Sequence, residues 1–506
     1  MKAFAVLPGL AVTMGDSELS PADADALTTV RVRQALQVPA QCELVFQGPA
    51  DELIARSNDL AGKPLRLAVD GGALFQGEIT AVELSYGADR ERHMAVRAYD
   101  LMHRLRKHQP VRRFSEVSLK DLAEQFAGAC ELDVDCPSAG PTWPQVMQWN
   151  QTDLDLLAAT AARAGFYFAA ADGTLRVFTL EGWGDPVSLA LGDTLFEARF
   201  EVNGEYAIDT VHALGWDPLS GKRFDAEQTT PRSGRDVTGD VAAGAFGGGA
   251  DGDRTLCDLA LPDSGQTEAA AQAVLDRAAA ARVDVSGVAQ GDPALRPGAR
   301  VEIEGVASSF AGTYVLTEVT HTVDAEHGYL ATLSSRPPLV AHATPSAAAV
   351  TPGVVSRVDD PDGLARVQAS LPLYPSITTS WMRVVMPAAG KDKGFVSLPD
   401  VDDEVLVIMP GGDPAMGVVL GGLYNVKPPD AGVAHDAIRR YTWRTPGGQQ
   451  VQLDDDEKSV VVQNQDGSAL TLAPKKVQLH AETDIEIDAP GRTITIRAGN
   501  VDFRKG

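Results

Sequence analysis

The chain has 506 residues, enough for about three domains of ordinary size. Its 69 acidic side chains outnumber 44 basic ones, and the formal charge of −25 disfavours nucleic-acid phosphates and anionic lipid headgroups as partners. Hydrophobic residues at 44% supply packed cores, but aromatics reach only 6%, which suits small β-rich modules better than one large aromatic-lined catalytic pocket. No apolar run approaches the ~20 residues that span a bilayer. The opening MKAFAVLPGLAVTMGD lacks a basic n-region and is broken by Pro8 and Gly9, so synthesis in the cytoplasm without a signal peptide is expected. Cys42, Cys130, Cys136 and Cys257 are scattered and read as reduced thiols.

Residues 1–95 read as strands with Gly-rich turns: CELVFQG (42–48), PLRLAVDG (64–71) and ALFQGEITAVELSYG (73–87). Ser20-Pro21 is expected to cap a short helical turn. Over 96–195 helices enter. Ser118 with Asp121, and Thr152 with Asp155, have capping-box spacing ahead of apolar helix faces. The second helix should stop near Gly165, before a hairpin turning at Asp172-Gly173. Strands return over 196–345, with an Ala-dense helix from about Thr267 to Arg282. Two strand-rich regions around a helical insert hint at a duplicated barrel.

A linker composition marks 335–353. Short strands VVSRV (354–358), ARVQASL (365–371), WMRVVM (381–386), GFVSL (394–398), EVLVIM (404–409) and VVLGGLY (418–424) follow, with the first turn at Asp360-Pro361-Asp362-Gly363. A small Greek-key barrel of OB type fits residues 346–428.

Residues 429–506 hold a linker and then short alternating strands, with apolar residues on every second position: Val477 and Leu479, Ile485 and Ile487, Ile494 and Ile496, Val501 and Phe503. Each strand is too short to build a sandwich with its neighbours, and one chain would leave a wet apolar face and open edges. Three copies wound about one axis resolve both, with strands pairing between chains around an inner core of those eight residues. Each inward side chain would contribute roughly 1.5–3 kcal/mol. Six layers at ~4.8 Å make a prism on the order of 30 Å long.

Motifs for chemistry are weak. Gly247 to Gly252 satisfies G-x-G-x-x-G without a strand before it or a helix after it, and reads as a loop. Gly215 to Lys222 is one residue too long for a phosphate-binding loop. His103 and His108, beside Arg104, Arg106 and Lys107, read as a solvated basic face; His321 reads as a structural residue. Asp454-Asp455-Asp456-Glu457 reads as a turn before a strand. No catalytic residue, cofactor site or metal site is assigned, and no G-x-S-x-G or Cys–His dyad is present. Two glycosidase carboxylates could hide among the 69 acids.

The OB-like segment carries GVVSRVDDPDGLARVQASLP, Trp381, Arg383, Gly390, Glu404, Gly412-Asp413-Pro414 and Asn425. It closely resembles the OB domain of VgrG spikes and of the puncturing proteins of contractile phage tails. RAYDLMHRL (97–105), WNQTDLDLLAATAARAGFYF (149–168), Leu295 to Gly298 and FAGTYVLTEVTHTVD (310–324) resemble the tail-hub half of that family, the late-control D type. The resemblance implies a mainly β protein with an α+β insert: duplicated hub barrels in a tail-hub region (1–345), an OB domain, and a C-terminal intertwined trimeric β-helix or prism.

It further implies a homotrimer that caps an inner tube protein among baseplate proteins and punctures a target membrane mechanically. A PAAR-repeat tip protein would sit on Phe503, Arg504 and Lys505, with effector cargo attached. The resemblance implies a carrier particle that is released or fired from the cell. Only about twenty residues separate OB barrel from prism, leaving no room for a lysozyme domain, and Arg504-Lys505-Gly506 follows the last strand without an effector. His480 alone gives no metal-binding tip. An inert mechanical part is therefore expected, against the alternative of a spike with glycan or peptidoglycan hydrolase activity.

Overall fold

The computed structural model describes residues 9–88, 90–217, 222–241, 252–257, 261–338, 348–374, 377–410, 416–424, 431–434 and 436–504. The chain divides into two compact units, Met1–Gly422 and Leu423–Gly506.

The N-terminal strands are β1 (Leu10–Met14), β2 (Ser17–Glu18), β3 (Leu27–Ala35), β4 (Val38–Gln47), β5 (Pro64–Val69), β6 (Gly72–Tyr86) and β7 (Arg92–Tyr99). Helices α1 (Pro21–Ala26), α2 (Asp51–Ala55) and α3 (Ser57–Leu60) lie between them. The Ser20 hydroxyl accepts from the Asp23 N–H at 3.2 Å, capping α1 behind Pro21. Alternation decides the faces. Val30, Val32, Cys42, Leu44 and Phe46 enter a core with Leu65, Leu67, Ile79 and Met94, while Arg31, Arg33 and Glu43 face outward.

The insert holds β8 (Arg112–Ser118), α4 (Leu119–Ala129), β9 (Asp133–Asp135), β10 (Thr142–Gln148), α5 (Asp153–Arg163), β11 (Tyr167–Ala171) and β12 (Thr174–Phe178). Both capping boxes form: Ser118 and Asp121 exchange bonds at the start of α4, as do Thr152 and Asp155 at α5. Asp172 and Gly173 turn the β11–β12 hairpin at φ 51° and 77°. The basic face expected around His103 is corrected. A 3-10 helix over Leu101–Arg106 docks on β6, so His103 is 5% exposed with Nε2 2.8 Å from the Glu78 carboxylate. His108 does stay exposed, 2.8 Å from Asp153.

The next region contains β13 (Trp183–Ala190), β14 (Leu195–Val202), β15 (Thr210–Asp217), β16 (Lys222–Gln228) and β17 (Asp253–Leu256). After the Asp263-capped α6 (Ser264–Arg282) come β18 (Val283–Gln290), β19 (Ala299–Glu304), β20 (Gly312–Val315), β21 (Glu318–Asp324) and β22 (Gly328–Ser334). The β-rich stretch TYVLTEVTHTV (313–323) forms two strands and not one. Thr317 breaks it, its hydroxyl bonding the Ser334 and Arg336 carbonyls, so β20 joins β19 while β21 enters another sheet. Gly247 to Asp251, and the tip of the Gly215–Lys222 segment, lie outside the described residues.

The two strand-rich regions share one sheet of eleven strands, in the order β14-β18-β22-β21-β3-β4-β7-β6-β5-β1-β2. The seam is β21 against β3, antiparallel from Glu318↔Ala35 to Asp324↔Thr29. Arg33 and Glu318 form an ion pair across it at 2.7 Å.

The OB barrel is β23 (Ala349–Arg357), β24 (Gln368–Ser370), β25 (Arg383–Val384), β26 (Glu404–Met409) and β27 (Val418–Gly422), ordered β24-β23-β26-β27-β25. Since β23 begins at Ala349, the segment expected as linker to 353 is already strand. GFVSL (394–398) forms no strand: its Phe395 N–H bonds the Pro387 carbonyl at 3.2 Å, and Val396 is 74% exposed. The barrel shares a core with the insert, where Met147, Val111 and Trp149 pack with Val367, Ile377 and Tyr374. Arg113 donates to the Thr378 carbonyl at 2.7 Å.

The second unit contains β28 (Val433–Ala434), β29 (Ala437–Ile438), β30 (Arg440–Arg444), β31 (Gln450–Asp454), β32 (Ser459–Gln463), β33 (Ala469–Ala473) and β34 (Lys476–His480). Strands β30 to β34 pair consecutively as an antiparallel meander. This corrects the expectation that every tail strand pairs with another chain: five of them find partners in their own. DIEID (484–488), TITIR (493–497) and VDF (501–503) form no strand.

Candidate assembly surfaces

The meander is a sheet with one apolar face. Its register stacks Trp443, Val451, Val462, Leu470 and Leu479 in one row and Tyr441, Leu453, Val460, Leu472 and Val477 in the next. The intervening row on the opposite face is Thr442, Gln452, Val461, Thr471 and Gln478. Successive side chains alternate across a strand, so this pattern divides the sheet into an apolar and a polar side. Among the described residues nothing in the unit covers the apolar side: none from 436 to 504 is buried, and Trp443 is 53% exposed. A shallow concavity of about 500 Å³ follows its first row.

Sequence reasoning picked Val477 and Leu479 from this face and missed the other eight. The same period of two was there to find them, in YTW (441–443), VQL (451–453), VVV (460–462) and ALTL (469–472). The remaining residues expected in the trimer core, Ile485, Ile487, Ile494, Ile496, Val501 and Phe503, lie beyond β34 with no strand partner, and all are exposed. Phe503 is 88% exposed and the Arg504 guanidinium pairs with Asp502 at 2.6 Å. Lys505 is outside the described residues.

Of the OB landmarks, Gly412, Asp413, Pro414 and Asn425 are likewise outside the described residues. Trp381 lies under the Arg357 guanidinium at 5.2 Å from its ring centroid. Arg383 begins β25 opposite Val418, Glu404 begins β26 opposite Val354, and Gly390 bridges to Lys393 in an exposed turn. These four hold separate places in the barrel and do not converge on one point. The strongest polar constellation is in the Asp360 turn. Asp360 accepts the N–H groups of Asp362, Leu364 and Arg366 and a two-pronged bond from the Arg366 guanidinium at 2.6 and 3.0 Å. The Arg366 side-chain bond is the main cause holding its carboxyl far below the usual carboxylate range.

The acidic run does form a turn, with the Asp454 carboxylate accepting from the Asp456 and Glu457 N–H groups. Among the described residues, no group of three or more His, Cys, Asp or Glu side chains is placed to hold a metal ion. No described helix is long and apolar enough to cross a membrane.

The OB domain of type VI secretion system and phage-baseplate injectors matches residues 351–424. The spike protein of Escherichia phage P2 is 25% identical over 163 residues, 30% of this chain and 72% of the phage protein. An E. coli type VI secretion component, described as similar to the T4 tail proteins gp27 and gp5, shares the fold with TM-score 0.50. It is 15% identical, over 79% of this chain and 96% of its own. The chain belongs to the VgrG-like hub-spike proteins.

The hub-spike fold extends further along the chain in the Francisella PdpA–VgrG complex, which aligns with 93% of this chain and 79% of its own at TM-score 0.54 and 9% identity. A second family model, the Alg8 N-terminal domain, matches residues 68–325, just over half of the chain, and the chain belongs to that family too. That span starts inside β5 and stops just after β21, so it takes in part of the eleven-stranded sheet and leaves out β1 to β4 and β22.

Proposed function

We propose that this hub-spike protein acts as a homotrimer that caps the inner tube of a contractile particle and punctures the target membrane when the particle fires. The bare apolar face of the meander carries the reading. Ten apolar side chains on one side of a coreless sheet are stable only when covered, and burying each contributes roughly 1.5–3 kcal/mol. Three meanders turned inward give each face its cover. The unpaired alternating segments 484–503 then take their strand partners from the other two chains and extend the rod.

Stiffness in such a rod comes from interchain hydrogen bonds and a dry core, and the mechanical role needs no transition state to be stabilised. Baseplate and tube proteins are the partners of the hub region, and a PAAR-repeat tip protein the partner of Phe503, Arg504 and Lys505. The hub and spike relatives support a structural role in place of hydrolysis. Light scattering on the purified full chain tests the reading. Three chains per particle are expected; a lone 53.4 kDa species at micromolar concentration overturns it.

A further inference from the structure

We infer that the outer face of the small sheet β16-β15-β17 is a docking site for an amphipathic helix of a partner protein, apolar along one stripe and flanked by Lys or Arg. The inference goes beyond the proposed trimer and needs no second copy of the chain.

The small sheet is an addition to the hub. In the first half of the eleven-stranded sheet, β3 passes to its neighbour β4 through Leu36 and Gln37 alone. In the second half, β14 and its neighbour β18 are separated by residues 203–282, which hold β15, β16, β17 and α6. An antiparallel ladder forms in both halves, with and without the added segment.

One side of the small sheet is finished and the other is bare. Val211 and Ala213 of β15 pack with Ala271, Leu275 and Ala278 of α6. Alternation turns Thr210, His212, Leu214 and Trp216 to the opposite face. Strand β15 pairs in parallel with β17, and parallel strands ordinarily carry a layer on both faces. Here the second face is open. Trp216 is 51% exposed, whereas Trp143 of the insert is 4% exposed, and the flanking Arg223, Asp225, Glu227 and Asp253 are all exposed.

Register sets the chemistry of that face. On the β16 side Glu227 stands opposite His212, Asp225 opposite Leu214 and Arg223 opposite Trp216. On the β17 side Asp253 stands beside Thr210. Arg223 is tied to Asp225 at 2.7 Å, while Glu227 and Asp253 have no ion pair among the described residues. The central row carries no acid and is apolar at its Leu214–Trp216 end, and an uncompensated acid lies on either flank. Its complement is a partner that is apolar in the middle and cationic on both sides. The row from Thr210 to Trp216 is about 20 Å long, the length of about 13 helical residues. The outer strands are about 10 Å apart, close to the diameter of one helix, the same match that α6 makes underneath. The exposed Trp216 indole also offers its ring face to a Lys or Arg head.

Cys257 directly follows β17 and is exposed, while Cys42, Cys130 and Cys136 are buried, so an environment-sensitive dye on its thiol reports on this face. The labelled full-length chain is titrated with a synthetic amphipathic peptide of about 14 residues built from Leu, Ala and Lys, and with its counterpart carrying Glu in place of every Lys. A saturable emission change is expected with the Lys peptide. Binding should weaken about tenfold or more with the Glu peptide, and equally in the double variant Trp216→Ser with Glu227→Gln. Both side chains are exposed, so thermal unfolding of the variant should match that of the parent. No dye response, an equal response to the two peptides, or unweakened binding by the double variant overturns the inference. A dye signal that changes on diluting the protein alone assigns the face to a second copy and overturns it as well.

Discussion

In the hub and OB unit, apolar faces are covered by another layer; in the tail, no described strand has such cover. Tyr167 and Tyr314 are each about 1% exposed, whereas Trp443 and Leu479 on strands of similar length are 53% and 61% exposed. Both regions use the same alternation, so the difference lies in what each strand can reach. Helices α4 and α5 and the long strand β6 give the hub second layers from its own chain. The meander strands β30 to β34 have five residues each and turn back at once, leaving one chain with a single layer. Stability is internal to the first region and, under the proposed function, collective in the second.

The largest expected effect breaks the collective half alone. Ile487→Asp or Ile496→Asp would bury three uncompensated charges in one layer of the trimer, and loss of trimer in light scattering is expected while hub unfolding is unchanged. Normal trimers in either variant would refute the inward placement of that residue. Next, Phe126→Ala in the insert should cost about 3–5 kcal/mol in denaturant unfolding of the hub, with the oligomeric mass retained under native conditions.

A pH experiment sharpens the contrast further. His321 Nε2–H donates to the Leu295 carbonyl at 2.9 Å and Nδ1 accepts from the Tyr329 hydroxyl at 3.0 Å. Burial lowers its pKa from 6.5 to about 4. The folded value is the lower one, so between those limits the unfolded chain binds more protons and hub stability falls as pH drops. The loss reaches roughly 3 kcal/mol by the low end, and His321→Gln should flatten that slope in thermal melts. Smallest of all, Ser118→Ala removes one capping bond of α4 and should cost about 1 kcal/mol, read as a small shift of the hub transition only.

Local chemistry made much of this legible beforehand. Ser20, Ser118 and Thr152 announced their helices because a side-chain oxygen answers unpaired N–H groups within three residues. Asp172-Gly173 announced its hairpin because a tight turn needs positive φ. The tail's apolar alternation was equally plain, yet only Val477 and Leu479 were taken from the meander, since periodicity shows that a face exists without showing which strands share it. GFVSL (394–398) had the composition of a strand and joins no ladder. His103 looked solvated among basic residues until the fold brought Glu78 from a different strand to meet it.

By itself, then, the sequence determined the acidic surface, the capped helices, the turns and the two-residue periodicity of the strands, all of which depend on groups a few positions apart. Only the tertiary structure decided that the two hub halves share a sheet, that the OB barrel packs on β10 of the insert, and that five tail strands pair within their own chain. Those outcomes depend on which edges meet across hundreds of residues, as Arg33 and Glu318 do, and closing such distances is settled by the packing of whole layers.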